Sequence, residues 1–114
     1  MKKILLIEDD EALCQTLTIA LEEDGFSVVS TGDGRKGLPD RAPFKGIIVA
    51  ASVPHLEKVF ELAGQLSSIS GRMVVPVGSR YEQSLHIVER NRDRIATHTL
   101  EGVTFNFLRL ISNP

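Results

Sequence analysis

Short apolar runs alternate along this chain with longer segments in which apolar residues recur every three or four positions. Unbroken apolar runs are typical of strands that are buried on both faces of a sheet, whereas the wider spacing indicates helices with one buried face. The runs predict five strands, at residues 4–7, 27–30, 46–50, 73–77 and 94–97. Because strands and helices alternate, the pattern predicts an α/β domain with a parallel sheet and right-handed crossovers.

Helical spacing follows each predicted strand. The first helix is expected over residues 13–21, and Gly25 is a residue type that commonly ends helices. The second helix, at 34–41, contains Gly37 and Pro39, so we expect it to be short or irregular. Three further helices are predicted, at 56–66, 81–90 and 105–111.

Length, charge and cysteine content narrow the class of protein. The 114 residues are the size of one ordinary domain, and we expect a single domain over residues 1–114. Because Cys14 is the single cysteine and no apolar stretch is long enough to cross a membrane, we expect a cytoplasmic protein without a membrane partner. The formal net charge of -2 gives no general attraction for nucleic acid, so we expect no direct nucleic-acid contact.

The charge is uneven along the chain. Residues 1–57 contain ten acidic and six basic side chains, whereas residues 58–114 contain five acidic and seven basic ones. Much of this difference comes from an acidic cluster at 8–11 and a basic run at 90–94. In parallel α/β sheets functional groups collect at the carboxyl ends of the strands, so the acidic cluster lies where a site is expected.

The segment from Lys3 to Asp10, KILLIEDD, resembles the opening strand and acidic pair of response-regulator receiver domains. The segment 33–38, DGRKGL, is similar to the start of the second helix of that family. The resemblance implies a three-layer flavodoxin-like fold, with a five-stranded parallel sheet of strand order 2-1-3-4-5 and helices on both faces. It also implies a place in two-component phosphorelay signalling, in which an aspartate at the end of the third strand takes a phosphoryl group.

Glu8 and Asp9 match the family's magnesium-binding acidic pair, but the rest of the phosphorylation site departs from the family's pattern. The acceptor, hydroxyl, lysine and aromatic switch positions are occupied by Ala50, Gly78, His98 and Ile95, respectively. An alanine methyl group can neither accept a phosphoryl group nor bind a metal ion. Two carboxylates alone also give too few oxygen ligands for a firm magnesium site, so we expect no cofactor and weak Mg²⁺ binding at most.

The resemblance therefore implies a degenerate receiver domain without enzymatic activity. We expect such a domain to regulate its own output domain or a protein partner, through phosphorylation-independent contacts or as a homodimer. Whether it is the N-terminal part of a longer regulator stays open. The family's usual contact face implies four candidate partner residues, which are Tyr81, Arg90, Arg92 and Arg94.

Three other interpretations involve the same end of the predicted strands. Ser52 is an alternative phosphate acceptor, which would make the chain a functional phosphoreceiver. Glu8, Asp9 and His98 are an alternative site for a small ligand, a transition metal or a pH-dependent contact. Residues 32–37 match the dinucleotide pattern G-x-G-x-x-G, but they follow the second strand rather than the first and include an acidic side chain that would repel phosphate. We therefore assign no nucleotide site to them.

Overall fold

The computed structural model of the protein describes residues 2–32, 36–50, 56–78 and 82–100. Within these ranges the chain forms strands, two α-helices and one 3-10 turn at Pro39–Arg41. The strands and α-helices, in chain order, are β1 (Lys3–Ile7), α1 (Glu11–Glu23), β2 (Ser27–Thr31), β3 (Gly46–Val49), α2 (Leu56–Ala63), β4 (Gly71–Gly78), β5 (Gln83–Asn91) and β6 (Arg94–Leu100).

The described strands form one mixed sheet in the order β2-β1-β3-β4-β5-β6. β1 pairs in parallel with β2 and with β3, and β3 pairs in parallel with β4. β5 runs antiparallel to β4, and β6 runs antiparallel to β5. The four parallel strands therefore end at one edge of the sheet. We call it the carboxyl edge and define it by the residues Glu8, Gly32, Ala50 and Gly78; the opposite edge is the amino edge.

One face of the sheet carries the main hydrophobic core. In β1 the side chains of Leu5 and Ile7 point to this face, and α2 covers it with Val59 and Leu62. Burial of one such side chain contributes about 1.5–3 kcal/mol, so this face accounts for much of the stability. The buried cluster consists of Leu5, Ile7, Phe44, Ile47, Val49, Val59, Leu62, Ala63, Leu66, Met73, Val75 and Val88.

α1 begins at a capping aspartate and ends before a glycine. Asp10 is the N-cap, and its Oδ1 accepts the backbone N–H of Leu13 at 3.0 Å. This bond satisfies one of the amide groups that a helix start leaves without a partner. Gly25 follows the helix with a φ of 91°, a left-handed conformation that glycine adopts without strain. The helix therefore ends where the sequence predicts.

The predicted flavodoxin-like fold, with five parallel strands, is wrong. The described sheet has six strands, of which the last two are antiparallel to their neighbours. Residues 81–90 were expected to be a helix because Leu85 and Val88 are three residues apart, but β5 occupies residues 83–91. In β5, Leu85 and Ile87 lie on one face and Val88 on the other, and a strand with apolar residues on both faces produces the same spacing as a helix.

β6 takes the place of the predicted parallel fifth strand. Asn91 pairs directly with Arg94, so only Arg92 and Asp93 connect β5 with β6. Arg92 has a φ of 59°, a left-handed conformation that two-residue hairpin turns favour. A connection of two residues cannot form a crossover, which a parallel pair needs, and β6 therefore runs antiparallel to β5.

Pro76 pairs with Leu85 of β5, but its nitrogen faces the β3 side of the strand, as the N–H of Arg72 does when it donates to the carbonyl of Lys45. Proline has no backbone N–H to donate and is therefore unusual inside a central strand. The register of β3 with β4 ends at Ile48 and Val74, so Pro76 lies beyond it. Its missing N–H removes no hydrogen bond from that part of the ladder.

Arg90 joins β5 to the carboxyl end of α2 and the turn that follows. Its Nη1 donates to the backbone carbonyls of Gly64 and Leu66 at 3.1 and 2.9 Å. Its Nε donates to the carbonyl of Arg92 at 3.0 Å. A cation in this position satisfies carbonyl groups that the helix end leaves without partners and interacts favourably with the helix dipole. Arg90, a predicted partner contact, thus makes its observed bonds within the fold.

Some predicted elements fall wholly or partly on undescribed residues. The helix predicted at 105–111 lies outside the described residues. The described part of the segment 34–41 contains the 3-10 turn in place of an α-helix. Neither α1 nor α2 has the length and apolar character that a membrane span requires.

Candidate functional site

The carboxyl edge brings together the ends of β1, β2 and β3. The N–H of Glu8 donates to the carbonyl of Thr31 at 3.0 Å, which fixes the end of β1 against β2. The N–H of Ala50 donates to the carbonyl of Ile7 at 2.9 Å, which fixes the chain after β3 against β1. These backbone bonds hold the first residue after β1 and the first residue after β3 in place. The edge is therefore a rigid frame for side chains that point out of the sheet.

Glu8 is the buried charged side chain of this edge. The residue is only 6% exposed, although it lies at the end of a strand. Its Oε1 accepts the backbone N–H of Asp10 at 2.8 Å, whereas its Oε2 is buried without a hydrogen-bond partner. A buried carboxylate oxygen without a partner costs free energy that folding must offset elsewhere. Such an atom is available to accept a hydrogen bond from a ligand.

The environment of Glu8 disfavours its ionised form. Burial raises the pKa of the Glu8 carboxyl above its ordinary value of 4.5, and the N–H of Asp10 opposes this by lowering it. The nearby carboxylates of Asp9 and Asp10 add to the rise, because their negative charges repel the ionised form of Glu8. A donor that reaches Oε2 would favour the ionised form and lower this pKa.

Asp10 connects Glu8 with the start of α1. Its N–H holds Oε1 of Glu8, its Oδ1 caps Leu13, and its carbonyl accepts the N–H of Cys14 at 2.9 Å. One residue therefore sets both the orientation of the Glu8 carboxylate and the first turn of the helix. The short backbone link between them leaves little freedom for Glu8 to turn away from the edge.

Gly32 lies directly beside the acidic residues, at the end of β2. A Cβ built on Gly32 would lie 3.6 Å from the Cα of Asp9 and 4.0 Å from the carbonyl oxygen of Glu8. The glycine thus leaves open the space beside these two residues. A flat or ring-shaped ligand can approach the backbone at that position, whereas a larger side chain would occupy it.

The structure separates His98 from Glu8 and Asp9. β3, β4 and β5 lie between β1 and β6, the strand that contains His98. His98 pairs with Ile87 in the middle of β6 and does not lie at the carboxyl edge. The alternative Glu8, Asp9 and His98 site is therefore not assembled. Among the described residues, no three His, Cys, Asp or Glu side chains lie close enough together to hold a metal ion.

The other predicted site residues are spread over the sheet. Ala50 is buried at the end of β3, and Gly78 ends β4 with a φ of 139°. Ile95, the expected switch position, is 41% exposed in β6. Arg92 and Arg94 lie at the amino edge, opposite the acidic residues. Ser52 and Tyr81 lie outside the described residues.

Comparison with known proteins identifies the family. A family model described as protein-L-isoaspartate(D-aspartate) O-methyltransferase matches residues 1–111, which is nearly the whole chain. The chain belongs to the protein-L-isoaspartate O-methyltransferase family. Its members are methyltransferases, so the expectation of a domain without a link to enzymatic activity is wrong.

Curated members of this family extend well beyond the matched region. The protein-L-isoaspartate O-methyltransferase of Koribacter versatilis is 39% identical over 113 residues, which are 97% of this chain and 49% of that protein. The one of Roseiflexus castenholzii is 41% identical over 105 residues, which are 90% of this chain and 47% of that protein. The chain spans about half the length of the curated relatives it matches.

Solved structures of the family have a similar fold. One protein-L-isoaspartate O-methyltransferase superposes with a TM-score of 0.61 at 18% identity, over 95% of this chain and 41% of that chain. A Plasmodium falciparum protein, described as a member of the same enzyme family in complex with S-adenosyl-L-homocysteine, superposes with a TM-score of 0.62 at 15% identity. That match covers 98% of this chain and 66% of that one.

Family membership overturns the interpretation as a receiver domain. The match over residues 1–111 includes the opening segment that resembles a receiver, so that segment does not define a separate family. A degenerate receiver in phosphorelay signalling, a phosphoreceiver that uses Ser52 and a sensor at Glu8, Asp9 and His98 are all set aside by this finding. The homodimer and the cytoplasmic location stay predictions.

Proposed function

We propose that this chain contributes to the transfer of a methyl group from S-adenosylmethionine to a carboxylate of L-isoaspartyl residues in proteins. The substrate follows from the family, whose model matches residues 1–111. The methyl donor is inferred from the Plasmodium falciparum relative, which was solved in complex with S-adenosyl-L-homocysteine. A cytoplasmic location belongs to the same proposal. The observation on this chain that carries the proposal is the unpartnered Oε2 of Glu8 at the carboxyl edge.

The carboxyl group of Glu8 can accept hydrogen bonds from the hydroxyl groups of a ribose. In nucleotide-binding α/β sheets, an acidic residue at the carboxyl ends of the strands accepts hydrogen bonds from ribose hydroxyl groups. Glu8 follows β1 at that position, and its Oε2 is a buried acceptor without a donor. A ribose hydroxyl would donate to Oε2 and end the cost of burying it unpaired.

The surroundings of Glu8 fit a ribose better than a phosphate. The acidic side chains of Asp9 and Asp10 lie next to it in sequence, and they repel an anion. Gly32 leaves room beside the backbone of Asp9 for a ring. A nucleoside without a phosphate at this position fits these constraints, and S-adenosylmethionine contains one.

When bound, S-adenosylmethionine would supply a methyl group on a positively charged sulfur, which a carboxylate oxygen of the substrate can accept. The part of this chain is to bind and orient the adenosyl group. Glu8 holds the ribose, and the bond from Asp10 to Oε1 keeps Oε2 directed to the ligand. Positioning of this kind raises the rate because the reacting atoms meet in a fixed geometry.

Methyl transfer to an isoaspartyl peptide tests this proposal. The protein would be incubated with radiolabelled S-adenosylmethionine and a peptide that contains one L-isoaspartyl residue, with the matching L-aspartyl peptide as control. Base-labile label on the isoaspartyl peptide alone is the expected result, because a methyl ester hydrolyses readily in base. Absence of label on both peptides, from protein that is folded by circular dichroism, would contradict the proposal for this chain.

A further inference from the structure

The N-terminus of α1 disfavours anion binding, although a helix N-terminus usually favours it. Free N–H groups and the positive end of the helix dipole attract phosphate at a helix N-terminus. In this chain the carboxylate of Asp10 occupies that position, because its Oδ1 accepts the N–H of Leu13 at 3.0 Å.

The capped N-terminus of α1 lies next to the buried carboxyl group of Glu8. The backbone N–H of Asp10 donates to Oε1 of Glu8 at 2.8 Å. Asp10 therefore positions the Glu8 carboxyl group and also carries the negative charge that caps the helix. Glu8 itself is 6% exposed, and its Oε2 lacks a partner. A ligand group that donates a hydrogen bond to Oε2 therefore lies close to Asp10.

We propose that Asp10 makes the carboxyl edge selective for a ribose whose 2′ and 3′ hydroxyls are unphosphorylated. This inference rests on the proposed adenosyl site at Glu8. A free ribose hydroxyl donates a hydrogen bond to Oε2 of Glu8. A phosphate ester on that ribose oxygen removes the donor and places negative charge beside the carboxylates of Glu8 and Asp10, which repel it. The capped helix start offers the phosphate no compensating N–H at Leu13. Asp10 is a specificity-determining residue in this scheme, and Glu8 is the residue that touches the ligand.

A comparison of the affinities of adenosine derivatives tests the selectivity. The protein would be titrated by calorimetry with S-adenosyl-L-homocysteine, adenosine, adenosine 2′-monophosphate and adenosine 3′-monophosphate. Adenosine 5′-monophosphate, whose phosphate lies across the ribose from the hydroxyls, controls for general repulsion of anions. We expect adenosine to bind at least about tenfold more tightly than the 2′ and 3′ phosphates, since loss of one hydrogen bond and repulsion by one charge together reach that ratio.

Two variants assign the effect to Asp10. Asp10→Asn removes the charge and keeps a side chain that caps helices equally well. It should reduce the preference for adenosine over the 3′ phosphate by about fivefold with an unchanged melting temperature. Glu11→Gln removes one charge from the same helical turn, and it should leave the preference within about twofold of the wild type.

The outcomes separate this inference from the proposed function. Binding of adenosine and of its 2′ and 3′ phosphates with equal affinity would overturn the selectivity and leave the adenosyl site intact. Equal effects of Asp10→Asn and Glu11→Gln would overturn the assignment to Asp10. If neither S-adenosyl-L-homocysteine nor adenosine binds to the folded wild type, the adenosyl site itself fails, and the selectivity fails with it.

Discussion

At the scale of single residues, Glu8 carries the most information about function. It is buried at a strand end, one of its oxygens is held by Asp10, and the other has no partner. The local sequence alone does not distinguish its two possible roles. An acidic residue after a short apolar strand holds a metal in a receiver, and it holds a ribose in a nucleoside-binding sheet.

The raised pKa of Glu8 predicts how stability depends on pH. Because burial raises the pKa in the folded state, the folded protein binds the Glu8 proton more tightly than the unfolded chain does. This contribution to stability is present below the ordinary value of 4.5 and is lost as the pH rises through the raised pKa. Glu8→Gln has no such loss, so its free energy of unfolding relative to wild type should increase across that window.

Urea unfolding at a series of pH values from 4 to 8 measures this effect. Glu11→Gln is the matched control, because Glu11 is an exposed carboxylate in the first turn of the same helix. Parallel pH profiles for wild type and Glu8→Gln would show that Glu8 is not destabilised by burial. The same variant should bind S-adenosyl-L-homocysteine more weakly, which separates the gain in stability from the loss of function.

Gly71 lies where the backbone of Ser67 leaves no space for a Cβ atom, so a larger residue there should destabilise the fold. A Cβ on Gly71 would lie 2.6 Å from the carbonyl oxygen of Ser67 and 2.9 Å from its nitrogen, and backbone atoms cannot move aside cheaply. Gly71→Ala should therefore lower the free energy of unfolding by about 1–3 kcal/mol, as overpacked sites do. Gly46→Ala is the control, since its Cβ would lie 3.5 Å from Ile4, an ordinary contact. Equal urea midpoints for the two variants would contradict this account.

At the scale of elements, Arg90 links the end of α2 to β5. Three of its hydrogen bonds reach backbone carbonyls, two of them in the turn after α2. Arg90→Ala should lower the free energy of unfolding by about 1–3 kcal/mol, because hydrogen bonds from a charged donor are among the stronger ones. Arg94→Ala, at an exposed position in β6, should change it by less than about 0.5 kcal/mol. A smaller loss for Arg90→Ala than for Arg94→Ala in urea unfolding would refute the linking role.

The elements also show how far sequence reasoning reaches. β1, α1 and β3 follow from unbroken apolar runs, helical spacing and the glycine at 25, which are local signals. β5 was mispredicted as a helix because its apolar residues fall on both faces of the strand. The strand predicted at 94–97 lies within β6, but its direction was mispredicted because the two-residue turn at Arg92 contains no glycine. The antiparallel pairing of β5 with β6 follows from their two-residue connection, which the spacing of apolar residues does not reveal.

The candidate site was predictable only in part. The rule that functional groups gather at the carboxyl ends of strands directs attention to Glu8 from the sequence alone. The unpaired Oε2 and the bond from Asp10 depend on three-dimensional placement, so no sequence pattern contains them. The proximity of His98 to Glu8 depended on a fold that the chain does not adopt, in which the strand bearing His98 runs parallel to its neighbour.

At the scale of the whole molecule, the distribution of charge favours the carboxyl edge as the place where a positively charged methyl donor binds. The acidic cluster at 8–11 lies at or beside the carboxyl edge, whereas Arg90, Arg92 and Arg94 lie at the amino edge. S-adenosylmethionine carries a positive sulfonium, so an acidic edge attracts it more strongly than it attracts the neutral product. The affinity ratio of donor to product should therefore fall when salt is raised from 0.05 to 0.5 M, a range over which screening grows. A ratio that is constant with salt would contradict this prediction.

Titration of the chain with S-adenosyl-L-homocysteine by isothermal calorimetry tests the central claim most directly, with wild type and Glu8→Gln compared at neutral pH. The account predicts saturable binding to the wild type with one ligand per chain, and affinity at least about tenfold weaker for a folded Glu8→Gln, because one charge-assisted hydrogen bond is lost. Equal affinity of both proteins would show that Glu8 does not hold the ligand, and absence of binding to the folded wild type would contradict an adenosyl site on this chain.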